Sequence, residues 1–116
     1  MPYICSDISK KLEDETKEKL VKGLAVILKE EAEKPEEYLM IKINDNSELW
    51  FGGEKRDIAY IEVKILGRLT LPQKDAITDK ITKLYEKETE IPAGNIYITF
   101  EQVGAENWGH NGKTFA

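Results

Sequence analysis

Cysteine, histidine and arginine are scarce in this chain. One cysteine, Cys5, excludes an internal disulfide, and no paired Cys/His spacing is available for a zinc site. His110 is the only histidine, and Arg56 and Arg68 are the only arginines. Basic residues number 17 against 22 acidic ones, a net charge of −5, so the basic stripe of a nucleic-acid binder is missing. No run approaches the ~18 apolar residues of a membrane span. The opening residues lack a charged stretch followed by an apolar one, which argues against a secretory signal and for a cytoplasmic protein. What remains is a chain of 116 residues, 41% hydrophobic and 34% charged, close to the commonest single-domain size.

The most distinctive positive feature is Met1-Pro2. Methionine is normally trimmed before a small residue, and trimming here leaves a secondary amine whose geometry the ring fixes. A free α-amino group has a pKa of roughly 7.7–8.0, and an apolar pocket or a nearby cation lowers it toward the range where a general base works best. With Met1 in place, Pro2 contributes an amide nitrogen with no basicity.

The hydrophobic pattern runs through the chain twice. A short strand over residues 2–7 leads to an amphipathic helix over 12–33, with Leu20, Leu24, Ile27 and Leu28 at helical spacing and Val21 beside them. Acidic residues Glu13, Asp14 and Glu15 suit the positive end of its dipole, and Pro35 ends it. Residues 38–44 read as a strand, and 45–57 as a loop with a short strand at Leu49–Phe51 closed by Gly52-Gly53. The second pass has a strand from Ile58 to Leu66, a helix over 71–88 opened by Thr70 and Pro72, and a strand over 96–103. The tail from Gly104 reads as irregular. The sum is one α+β domain over residues 1–116, ordered β-α-β-β-α-β, with each βαβ half favouring a right-handed parallel crossover. Its two helices can cover one face of a four-stranded sheet. The other face mixes Tyr97, Thr99, Glu62 and Lys64 with apolar residues, which points to association with further copies. A ferredoxin-like monomer has the same element order.

Five segments in order carry a family resemblance: Met1-Pro2, Lys34-Pro35-Glu36-Glu37-Tyr38, Phe51-Gly52-Gly53 with Leu66-Gly67, Ile96-Tyr97-Ile98-Thr99-Phe100, and the closing run from Asn107 to Ala116. Together they resemble the macrophage migration inhibitory factor family of the tautomerase superfamily over the full chain. The resemblance implies a tautomerase-fold homotrimer with keto–enol tautomerase activity on phenylpyruvate-like 2-oxo acids and no cofactor. Pro2 would be the catalytic base and acid. Lys34 and the backbone N–H of Leu66 would hold the substrate carboxylate. Tyr97 and Thr99 would arrive from the neighbouring subunit, Tyr38, Trp108 and Phe115 would line an aromatic pocket, and Tyr3 would lie close to the base. It also implies an alternative, a cytokine-like protein that engages a cell-surface receptor and is secreted without a signal peptide. A decarboxylase or dehalogenase of the wider superfamily would need further polar groups near Pro2.

Elementary chemistry agrees with these roles. Tautomerisation moves a proton between oxygen and carbon, so it needs an amphoteric group near neutrality and a charge clamp. A lysine both attracts a carboxylate and depresses a nearby amine, and a fixed N–H stabilises an enolic oxygen. Tyr97 and Thr99, two apart on a strand, share one side of the sheet. Each residue also has an ordinary use. Lys34 suits a helix end. Tyr38, Trp108 and Phe115 suit a core. His110, beside glycine in a tail, suits the surface. Cys5 reads as a small apolar residue of a buried strand. Two departures from the family stand out. Thr99 replaces a usual asparagine, and Ile58 and Ile61 occupy the positions of the animal Cys-x-x-Cys, which removes thiol–disulfide chemistry.

Overall fold

The computed structural model describes every residue from Met1 to Ala116. Strand β1 (Pro2–Ile8) buries alternate residues Pro2, Ile4, Ser6 and Ile8, the period expected of a strand with one covered face. It leads through α1 (Asp14–Ala32) to β2 (Met40–Asn44), which pairs with β1 in parallel. Two-residue strands β3 (Trp50–Phe51) and β4 (Glu54–Lys55) form a small ribbon turned by Gly52-Gly53, both at positive φ. The second half runs β5 (Ala59–Leu66), α2 (Leu71–Thr89) and β6 (Ile96–Val103), with β5 and β6 parallel. The halves join through the antiparallel β1–β5 pair, giving a four-stranded sheet in the order β2-β1-β5-β6. The twofold echo of the sequence is thus a physical one, two βαβ units sharing a seam.

The core lies between the helices and one face of the sheet. Leu20, Leu24 and Leu28 of α1 and Ile77, Ile81 and Tyr85 of α2 are fully buried against Ile4, Ile8, Ile61 and Val63. Val21, expected beside the buried stripe, is 40% exposed because it sits one residue round the helix from Leu20. Helix α1 stops where Glu33 turns left-handed at φ 54°, its N–H donating to the Lys29 carbonyl and the Lys34 N–H to the Leu28 carbonyl. Helix α2 starts on a capping box: Thr70 Oγ1 accepts from the Gln73 N–H at 3.2 Å, and Gln73 Oε1 accepts from the Thr70 N–H at 2.8 Å. The helices approach closely at Gly23, where a Cβ would stand 2.5 Å from Leu84 Cδ1. Ser6 and Tyr85 hydrogen-bond inside the core, and burial pushes the Tyr85 phenol up to about 12.

Three local expectations change. Tyr38 does not begin a strand. Residues Glu36–Tyr38 form a single 3-10 turn after Pro35, with N–H bonds from Tyr38 to Pro35 O (3.2 Å) and from Leu39 to Glu36 O (3.0 Å). The tail is not irregular. After a 3-10 turn at Ala105–Asn107, β7 (Gly109–His110) and β8 (Lys113–Thr114) form a hairpin around Asn111-Gly112, both at positive φ as a two-residue hairpin turn demands. Cys5 is half-exposed, because the odd-numbered residues of β1 face away from the helices.

That open face carries Tyr3 and Asp7 of β1, Tyr60, Glu62 and Lys64 of β5, and Tyr97, Thr99 and Glu101 of β6. Tyr97 and Met40 are 60% and 67% exposed there, large apolar surfaces left uncovered in a single subunit. No helix is long and apolar enough to cross a membrane.

Candidate active site

Pro2 opens β1 level with Ile65 of β5, which in turn is level with Gln102 of β6. This end of the sheet is therefore where the chain start, the end of β5 and the end of β6 meet. The Met1 carbonyl accepts a 3.0 Å hydrogen bond from the Leu66 N–H, the donor that the sequence resemblance reserves for a substrate carboxylate. Lys34, just past α1, donates from Nζ to the Leu66 carbonyl at 3.5 Å, so the cation and the backbone donor flank one spot. The Met1 amine that occupies this corner is held below its ordinary 8.0, first by burial and then by the charge of Lys34. Both influences act at the chain start.

A cleft of about 880 Å³ opens beside Pro2. Tyr38 and Met40, from the β2 side of the sheet, form one wall. Across β1 and β5 the opposite wall is built from the end of β6 and the tail, with Gln102, Val103, Trp108 and His110. Tyr3 lies in the cleft, its phenol pushed above 10.0 by burial and by Cys5, which keeps it protonated and able to donate. Lys64 and Glu101, also lining it, pair with each other at 3.4 Å. The tail is pinned by the Phe115 N–H, which donates to the Ala105 and Trp108 carbonyls at 3.1 Å each. Phe115 then stacks on His110 with ring centres 6.1 Å apart and planes 7° from parallel.

Of the residues singled out from the sequence, Pro2, Tyr3, Tyr38 and Trp108 line this one cleft. Leu66 and Lys34 meet it through the Met1 backbone and amine, and Phe115 through the His110 ring. Tyr97 and Thr99 lie elsewhere. Tyr97 is five residues before Gln102 on β6, about 16 Å at ~3.3 Å per residue. There it packs on Phe51, ring centres 5.1 Å apart, beneath which Arg56 sits 5.6 Å from the Phe51 ring. Thr99 Oγ1 shares a 3.1 Å hydrogen bond with the Tyr60 hydroxyl. Met40, Lys64, Glu101 and His110 were not anticipated. Strand register places the first three, and the Asn111-Gly112 turn signal could have placed His110.

The family model for macrophage migration inhibitory factor (MIF) matches residues 1–116. The chain belongs to the MIF family. A MIF from Xenopus tropicalis is 27% identical over 113 residues, covering 97% of this chain and 96% of its own. Among solved structures, Leishmania major MIF2 superposes with a TM-score of 0.91 at 29% identity, covering 99% of this chain and 97% of that one. A MIF homologue from Prochlorococcus marinus gives a TM-score of 0.90 at 32% identity, with 98% and 99% covered. The two βαβ units and their shared seam are thus the MIF-family fold in this chain.

Proposed function

We propose that this MIF-family protein, once Met1 is removed, is a keto–enol tautomerase of phenylpyruvate-like 2-oxo acids with Pro2 as base and acid. The observation that carries the reading is the Met1 carbonyl seated on the Leu66 N–H beside Lys34, a backbone acceptor resting where a carboxylate oxygen fits. Removal of Met1 turns Pro2 into a secondary amine at that corner and frees the donor. The substrate carboxylate takes the Leu66 N–H and the Lys34 ammonium, a charge-assisted pairing that fixes the adjacent carbonyl carbon. The Pro2 nitrogen removes the proton from the enol oxygen and returns it to the neighbouring carbon, and the reverse order forms the enol. Burial and Lys34 hold the Met1 amine low at this corner, and in this reading the same two influences favour the neutral Pro2 amine, the form able to accept a proton. Tyr38, Trp108 and Tyr3 offer faces and edges for the aryl ring.

The distance from Pro2 to Tyr97 supports a composite site, in which Tyr97 of another copy adds to the cleft beside Pro2. A homotrimer packed through the open sheet faces brings the Tyr97 end of one subunit to the Pro2 end of the next, as the family resemblance implies. Thr99 is shorter than asparagine and supplies a hydroxyl in its place. The working compartment in this reading is the cytoplasm.

The test begins with intact mass, to establish that Met1 is absent. Trimmed protein should accelerate phenylpyruvate tautomerisation, and an alanine inserted before Pro2 should abolish most of that rate. Full activity in the insertion variant removes Pro2 from the mechanism. Membership of the macrophage migration inhibitory factor family supports a second reading, a cytokine-like protein that binds a cell-surface receptor. It predicts saturable cell binding that survives Pro2→Gly, and absence of binding at micromolar concentration ends it.

A further inference from the structure

The proposed chemistry leaves one cleft residue unused, and it is the only histidine in the chain. His110 stands on β7 in the wall formed by the tail, opposite Tyr38 and Met40. Its ring is held by the Phe115 stack and by a hairpin whose turn fixes the backbone. Lys113 is its direct cross-strand partner and faces the same side of the hairpin. Of the other charged groups lining the cleft, Lys64 is neutralised by Glu101. In a protein of net charge −5, this side of the cleft therefore presents an imidazole with an ammonium as its cross-strand neighbour. Lys34 and the Leu66 N–H lie at the chain-start corner, so the keto acid and the imidazole occupy different parts of the cleft.

We propose that His110 is a specificity-determining residue that favours aryl 2-oxo acids carrying a second anionic group on the ring, remote from the keto acid. This rests on the tautomerase reading for the orientation of the substrate. The imidazole edge donates a hydrogen bond to the remote carboxylate while its face stays against Phe115. Lys113, the cross-strand neighbour of His110, adds positive charge beside it.

The experiment compares phenylpyruvate with 4-carboxyphenylpyruvate on trimmed protein, with kcat/KM and calorimetric Kd values for both compounds. His110→Phe preserves the stack and removes the donor, and its Tm reports that the tail still folds. The expected result is about a tenfold loss of preference for the dicarboxylate in His110→Phe, phenylpyruvate changing less than about twofold. His110→Gln, which keeps a hydrogen-bond donor, should restore part of the preference. An unchanged ratio in His110→Phe overturns the role of His110 alone. If phenylpyruvate is bound but not turned over, the tautomerase reading fails and the Kd ratio still decides this one. Absence of binding by either compound overturns both.

Discussion

At one end of the open sheet face the chain start, Lys34 and the Leu66 N–H crowd together at the floor of a cleft. At the other end Tyr97, Phe51, Tyr60 and Thr99 make an aromatic and hydroxyl cluster with no comparable base beside it. The first end has the means to move a proton but only part of a pocket. The second has pocket walls and nothing to wall in. About 16 Å separates them along β6, farther than any side chain reaches. The difference teaches that a folded subunit is half an enzyme in this reading, and that assembly supplies geometry the fold withholds.

The largest expected effect falls on the first end. Pro2→Gly in trimmed protein should lower kcat for phenylpyruvate by about 100-fold or more, the scale of general acid–base catalysis. A loss under about threefold would break the assignment of chemistry to that end. Next comes the link between ends. Tyr97→Ala should cost about tenfold in kcat/KM, yet when refolded together with Pro2→Gly the mixed oligomers should recover about a quarter of the parental rate, the share of seams that unite both intact residues. No recovery would place the two groups in one chain's site and sink the composite picture.

Lys34→Ala sharpens the account of the floor. Loss of a charge-assisted contact should raise KM for phenylpyruvate about 10-fold, with kcat changed less. The limb of the pH–rate profile that reports the amine should also move upward, since Lys34 is one of the two causes holding the chain start low. A KM unchanged within error would leave the ammonium without a substrate. The smallest effect concerns protein that retains Met1. Its amine is depressed on folding, so the unfolded chain binds more protons over the window just below 8.0. Stability should therefore rise with pH through that window, read as the urea midpoint. A fall that Lys34→Ala leaves unaltered would mean that this amine is not what the pH senses.

Much of this arrangement was legible before any coordinates. Ile61, Val63 and Ile65 alternate as a strand must, and Leu20, Leu24 and Leu28 repeat as a helix must, so the element order followed. Pro2, Tyr38 and Trp108 gather from positions up to 106 residues apart, which periodicity could not reveal and the family motifs could. What escaped was governed by short-range geometry. Pro35 and two i→i+3 bonds turn Tyr38 out of the strand that its sequence suggests. The lone histidine reads as surface and His110 is indeed exposed, but only the Asn-Gly turn that folds the tail back sets it along the cleft. Lys64 and Glu101 became cleft residues only through the β5–β6 register, which no local pattern encodes.

The hydrogen bond between the Met1 carbonyl and the Leu66 N–H has a consequence for how the protein would be handled. Cutting away the first residue deletes a contact of about 1 kcal/mol along with it, so a freshly processed subunit should melt slightly earlier than its precursor. Any small carboxylic acid that docks on the exposed amide should then restore the lost degrees in proportion to its affinity, whether or not it can react. A melting-temperature screen of simple organic acids would consequently map this corner of the protein independently of turnover, with the unprocessed form as its built-in blank.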